Sequence, residues 1–392
     1  MLSLLRKRKR GRTLVSSSIA GTNVPEVPKE STATHAGKPY PWIINPVFDF
    51  IFITGGGVLV LMAINYQFLG WSVPVDMNAN GLTMFLIITM FLTQHIFADS
   101  HNTATYMRIW GSKEDRKRFK FYRTWLAYSI IPIFVLGLSK PEFTSSLVYL
   151  YLITVFWHYA AQAFGIALIY CYKRGYIMNN VEKEIFRWFI LSMSGYVIIR
   201  FLTFQDFSPR NFYGVPIPFW GPLPLVYFNA ARLILICMAI AFVGVVLKKA
   251  IMDKKIMPIP SLLLIITVAC LGLSSGTANS MMWFYVPGFY HGSQYLAVCL
   301  AYYLKERGMP EGMDTWKMSR EVIRWPAVKY IGTVILTGCF FYVGIPHFFM
   351  QMGLDFGMVG GLVLGCVNYH HFITDAAIWR LRDNHCRKIL LS

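Results

Sequence analysis

The residues best suited to chemistry in this 392-residue sequence are histidines and carboxylates set among long apolar runs. Of its nine histidines, His35 and His385 lie in polar terminal stretches and His347 near the end of an apolar run. The other six are His95, His101, His158, His291, His370 and His371. Four of them have a polar companion one helical turn away. His95 precedes Asp99 by four in QHIFADSHN, His371 precedes Asp375 by four in NYHHFITD, His158 precedes Gln162 by four in WHYAAQ, and His291 precedes Gln294 by three in YHGSQY. Such spacing puts both members of a pair on one helix face. An imidazole or carboxylate alone in hydrocarbon is costly, so each is expected to face a bundle interior and to have a partner. Many such groups at one depth are most simply used together as a metal site. Neutral imidazole and carboxylate suit iron, zinc and manganese, and thiolate is absent from the set.

Each residue also has a plainer reading. Any single histidine here is more easily a hydrogen-bonded core residue joining two helices than a ligand, because polar side chains commonly bridge helices in membranes. It is the set that points to a site. Gln162 and Gln294 read as groups that orient ligands. His370 and His371 are adjacent and point about 100° apart, so one of them faces a given ion unless two ions lie close together. Asp375 is open between a ligand, a group that orients a histidine, and an ion-pair mate of Arg380. Asp99 carries the same ambiguity.

The elements that must hold these residues are transmembrane helices. The chain is 55% hydrophobic and 14% charged, with a mean hydropathy of +0.47, whereas a soluble domain carries charge on about a quarter of its residues. Apolar runs long enough to cross a bilayer, roughly 20 residues each, fall at about 47–69, 81–100, 124–140, 145–172, 185–204, 225–247, 259–276, 281–304, 328–350 and 356–379. The fold class is therefore all-α: a polytopic bundle of about ten transmembrane helices.

The net charge of +18 does not indicate a nucleic-acid partner, because the basic residues sit in short clusters between apolar runs. With the N-terminus inside, every second connection is basic. The inside set holds Arg6 to Arg12, Arg108 to Arg123, Lys173 to Arg187, Lys248 to Lys255, Lys305 to Arg324 and Arg380 to Lys388, while the outside set holds little beyond Lys140 and Arg210. This alternation supports the count and places both termini on the cytoplasmic side of a cell inner or plasma membrane. Residues 1–45 read as a basic, disordered cytoplasmic tail, since no apolar stretch follows the N-terminal cluster. Residues 46–380 form the membrane domain and 381–392 a short basic tail. The seven cysteines show no CxxC spacing and read as apolar fillers.

The topology gives a depth scale. His158 lies 15 residues before Lys173, His291 lies 14 before Lys305, and His370 lies 10 before Arg380, a spread of about 8 Å along a helix. His95 lies 13 before Arg108. Helices two, four, eight and ten thus carry imidazole to one slab of the bilayer, with His101 just past the end of helix two. Arg232, one turn after Asn229, reads as a residue that snorkels outward. Gly55 to Gly57, GLSSG and GMVGG read as helix-packing stretches and not as phosphate loops.

This scatter of histidines over several helices of an apolar chain resembles the Brp/Blh family of membrane carotene dioxygenases. The resemblance implies iron-dependent oxidative cleavage of a polyene, with His95, His158, His291 and His370 or His371 as ligands in kind. The clustered HxxxH and HxxHH boxes of membrane desaturases are absent. Alkaline ceramidases are similar in using histidines and an aspartate for zinc inside a helical bundle.

The leading expectation is a membrane metal enzyme, a non-haem iron oxygenase acting on a lipid or isoprenoid. Its metal ligands are sought among His95, His101, His158, His291, His370 and His371, with Asp99, Asp375, Gln162 and Gln294 supporting catalysis. Two competitors stand beside it: a transporter or channel using the same residues as a proton or ion relay, and a zinc-dependent lipid hydrolase.

Overall fold

Apolar runs separated by basic connections fold as helix almost throughout. The computed structural model describes residues 42–69, 81–208, 210–212, 214–273, 281–307 and 315–391. About 82% of them are helical. The strands among them are β1 (Asn211–Phe212) and β2 (Val215–Pro216), paired antiparallel. Most of the tail expected at 1–45 lies outside the described residues, as do the connections 70–80, 274–280 and 308–314.

The described chain begins with α1 (Pro46–Phe48), a π-helical turn Asp49–Ile53 and α2 (Gly56–Leu69). One continuous rod follows, made of α3 (Gly81–Thr93), a π-helical stretch Gln94–Asp99 and α4 (Ser100–Ile109). The short polar helix α5 (Lys113–Arg118) and the π-helical turn Tyr122–Leu126 lead into α6 (Ile130–Ser139) and α7 (Pro141–Lys173). Then come α8 (Asn180–Thr203), α9 (Leu225–Ile251), α10 (Ile259–Leu273), α11 (Met281–Glu306) and α12 (Thr315–Glu321). The chain ends with α13 (Trp325–Cys339), a π-helical turn Phe340–Gly344, α14 (Ile345–Gln351), α15 (Phe356–Ile378) and α16 (Asn384–Leu391).

Among the described residues, five helices are long and apolar enough to cross a membrane: Pro141–Lys173, Asn180–Thr203, Leu225–Ile251, Trp325–Gln351 and Phe356–Ile378. They differ in place. α15 has 61% of its apolar window buried and is central, whereas α9 has 11% and is peripheral, packing chiefly against α8.

Local chemistry marks the helix ends. Asn179 and Glu182 form a capping box at the start of α8, where Glu182 N–H donates to Asn179 Oδ1 at 2.9 Å and Asn179 N–H donates to Glu182 Oε2 at 3.0 Å. The same Glu182 meets Lys248 at 2.9 Å and Lys249 at 3.2 Å, tying the start of α8 to the end of α9. The buried Asp49 carboxylate accepts the N–H groups of Ile43 and Ile44 and, at 2.6 Å, the Tyr170 hydroxyl. That contact ties the entry of the chain to α7.

The feature that shapes the centre is the π-helical stretch Gln94–Asp99. Its i→i+5 pattern inserts an extra residue into the α3–α4 rod and turns the face of everything beyond it. Ser100 Oγ donates to the His95 carbonyl, five residues back, at 2.7 Å. Two glycines let neighbours close on this stretch. A side chain at Gly292 of α11 would collide with the Phe97 backbone, and one at Gly338 of α13 would collide with Ser100.

Candidate metal centre

Four helices converge their imidazoles at one point. His101 on α4, His158 on α7, His291 on α11 and His371 on α15 each offer a ligand nitrogen, and these nitrogens all lie within 4.8 Å of one another. Nε2 of His101 is 3.1 Å from Nε2 of His371 and 3.1 Å from Nε2 of His291, and Nε2 of His158 is 3.1 Å from Nε2 of His371. His101, His291 and His371 are at most 5% exposed.

The hydrogen bonds on the far side of two rings decide what these contacts are. His101 Nδ1 faces the Ala98 carbonyl, which can only accept, so the ring proton is on Nδ1 and Nε2 presents its lone pair. His371 Nδ1 lies 2.7 Å from Thr105 Oγ1. The Thr105 hydroxyl donates to Asp375 Oδ1 at 3.0 Å, so it accepts from His371, whose Nε2 is then also bare. Two unprotonated nitrogens 3.1 Å apart in a buried site repel unless a cation lies between them. At metal–nitrogen distances of about 2.1 Å, nitrogens 3.1 Å apart subtend about 95° at a shared ion. The donor set thus fits a divalent transition metal, and among the described residues it is the group that does.

Asp375 supports this centre from beside it. Its Oδ1 accepts the Tyr295 hydroxyl at 2.6 Å as well as that of Thr105, and Tyr295 accepts the Trp379 indole N–H at 3.0 Å. Asp375 Oδ2 is 3.9 Å from His158 Nε2. The carboxylate therefore anchors His371 through Thr105, as a group that orients a ligand.

The other sequence candidates lie elsewhere. His95 meets Asp99 one turn on, Nδ1 to Oδ2 at 2.7 Å, as its spacing predicts; neither belongs to the four-nitrogen group, although Asp99 lines a small pocket with His101 and His291. His370 points away from the four-histidine group, its Nε2 2.8 Å from the Tyr122 carbonyl and its ring stacked on Tyr106. The two glutamines bond each other and the backbone. Gln162 donates to Gln294 Oε1 at 2.9 Å and to the His291 carbonyl at 3.1 Å, and Gln294 donates to the Ile53 carbonyl at 2.5 Å. They lock α7, α11 and the entry turn together around the centre. Thr105 and Tyr295 carry no mark in the sequence except position, each four residues after a clustered histidine.

A cavity of about 700 Å³ opens onto the centre at His158, Asp375 and Tyr295. It runs between α7 and α15 and is lined mainly by apolar side chains, with Leu150, Trp157 and Ile373 both lining it and 40% or more exposed at its side. Leu390 of α16 lines it at the C-terminal end of α7. That volume is in the range of sites for drug-sized ligands.

A scan against protein-family models, a search of curated proteins and a search of solved structures each return no match to the chain.

Proposed function

We propose that this protein is an integral-membrane, metal-dependent enzyme: a non-haem iron oxygenase acting on an apolar lipid or isoprenoid. The observation that carries the reading is the 3.1 Å contact of Nε2 of His101 with Nε2 of His371, with the outer nitrogens of both rings bonded to oxygen, within a four-histidine group beside a cavity of about 700 Å³. His101, His158, His291 and His371 would hold the ion. Four protein ligands exceed the three usual for catalytic zinc, which favours iron. When bound, such an ion supplies activation of dioxygen. The protein's own part is to orient the ligands, through Ala98 at His101 and through Thr105 and Asp375 at His371. Its cavity walls exclude water and hold an apolar chain against His158.

In the same reading the bundle has ten transmembrane helices with both termini cytoplasmic, which the alternation of loop charge supports. The sideways exposure of Leu150, Trp157 and Ile373 supports entry of the substrate from the bilayer. The scattered-histidine likeness to membrane carotene dioxygenases agrees with an iron oxygenase, and the substrate is proposed only as a class.

Metal analysis of the detergent-purified protein is the test, with oxygen uptake measured on extracted membrane lipids. Stoichiometric iron and oxygen-dependent turnover, both lost in the pair His158→Ala and His291→Ala, are expected. Zinc with oxygen-independent turnover would move the reading to a hydrolase. The hydrogen-bonded chain Trp379–Tyr295–Asp375–Thr105–His371 favours a second reading, a proton-coupled transporter. Proton flux in proteoliposomes that is abolished by Asp375→Asn and indifferent to chelators would establish that instead.

A further inference from the structure

His291 differs from the two clustered histidines whose outer nitrogen is bonded. To turn a lone pair from Nε2 toward its neighbours it must carry its proton on Nδ1, yet Nδ1 has no hydrogen-bond partner among the described residues. His291 is 2% exposed, so bulk solvent does not serve it. A buried ring N–H without an acceptor is unfavourable, and histidines that hold metals nearly always give that proton to a carboxylate, a carbonyl or a water.

A second cavity, of about 60 Å³, lies among α7, α8, α10 and α11. Its wall includes His291, Ser194 and the apolar Met193, Val197 and Val268. Ser194 is 5% exposed, and its hydroxyl too has no partner among the described residues. The amide of Gln294, also in the wall, is already committed to Ile53, Tyr290 and Gln162. The wall of one small cavity therefore includes two residues that carry orphaned polar groups, one needing an acceptor and the other able to accept or donate. A water takes up about 30 Å³ in the liquid and is held by two to four polar partners, so the space accommodates one or two.

We propose that this cavity is a built water site in which a water accepts from His291 Nδ1–H and bonds Ser194 Oγ, making Ser194 a positioning residue of the histidine centre. The inference rests on the metal-centre reading for its effect on affinity, but not for the water itself. Ser194 acts through the water on the tautomer of His291, as Thr105 acts directly on His371.

The test uses full-length protein in nanodiscs with ¹⁵N-labelled histidine, metal-free and loaded with zinc ion alone. An exchange cross-peak between water and the His291 ring N–H is expected in both forms, and Ser194→Val, which fills the cavity, should abolish it. Zinc affinity should fall about tenfold in Ser194→Ala and Ser194→Val and stay within about threefold of wild type in Ser194→Thr, the range typical of lost outer partners. Absence of the cross-peak, or zinc affinity and His291 resonances unchanged in both Ser194→Ala and Ser194→Val, overturns the proposal. If the wild type takes up no zinc, the metal reading fails, and the cross-peak in the metal-free protein still decides the water bridge.

Discussion

Thr105 Oγ1 lies 2.7 Å from His371 Nδ1 and 3.0 Å from Asp375 Oδ1, so one hydroxyl transmits the carboxylate's demand for a proton to the ring and turns the bare Nε2 of His371 inward. Thr105→Val keeps the shape of the side chain and removes this link. Metal affinity should fall about 10- to 100-fold, and Thr105→Ser should restore most of it. Isothermal titration with zinc and with ferrous ion under nitrogen measures both; equal affinities in all three proteins would show that Thr105 plays no part in presenting His371.

The division among the six histidines gives a second prediction. His101→Ala or His371→Ala should strip the purified protein of its metal. His95→Gln and His370→Gln, which preserve hydrogen bonding to Asp99 and to the Tyr122 carbonyl, should leave metal content within error of wild type. Mass-spectrometric metal analysis on folded, monodisperse samples reads the difference. Loss of metal in His95→Gln would shift the centre toward Asp99.

That division shows what could be read from the sequence and what could not. Apolar length and loop charge were enough to expect helices, and counting residues toward the cytoplasmic side brought His158, His291 and the His370–His371 pair to one level. The same count favoured His95 over His101 because it took Arg108 as the membrane edge. Arg108 is in fact buried, 7% exposed and 2.5 Å from Asp115, and the rod continues through His101 to Ile109. The π-helical stretch Gln94–Asp99 adds the rest: a residue inserted without any breaker such as proline turns His101 inward, and no periodic pattern registers it. The glutamine pairings were hidden for a different reason, since helical spacing describes neighbours on one helix while Gln162 and Gln294 bond across two.

Gly165 offers a handle on the large cavity. It lines the wall, and a side chain built there would meet nothing within 4 Å. Glycine inside a helix costs about 1 kcal/mol relative to alanine, so Gly165→Ala should raise the melting temperature slightly. Gly165→Leu should leave metal content intact and reduce both binding of a fluorescent fatty-acyl probe and turnover by at least about tenfold. Unchanged probe binding in Gly165→Leu would remove the cavity from the substrate's path.

Gly292 should behave oppositely. An alanine there collides with the Phe97 and Ala98 backbone, and overpacking of this kind costs about 1–3 kcal/mol. Because the collision forces α11 away from the rod that carries His101, metal affinity should fall together with stability. A Gly292→Ala protein with wild-type melting and full metal would mean that the two helices have room to spare.

The contact of Arg118 with Asp383 gives a pH dependence outside the membrane segments. Its hydrogen bond to Arg118 holds the Asp383 carboxyl below the ordinary range. A carboxyl depressed in the folded state stabilises fully above its unfolded value of about 3.9 and loses that contribution as pH falls through the folded value. Amide exchange in α16 should therefore quicken only below about pH 4, and Asp383→Asn should show the quicker rate already at neutral pH. The effect is small because Arg118 is 40% exposed. Equal exchange in the two proteins at pH 7 would exclude the pair as an anchor for α16.

The side opening at Leu150, Trp157 and Ile373, with α16 across the end of the groove, changes the meaning of concentration for any ligand of this cavity. If ligands enter from the bilayer as proposed, what the site samples is the number of molecules per unit area of bilayer, and dilution with inert lipid at constant bulk amount should slow occupancy as adding solvent slows it for a soluble protein. Partition into the membrane then acts as the first selection, before any side chain of the groove makes contact.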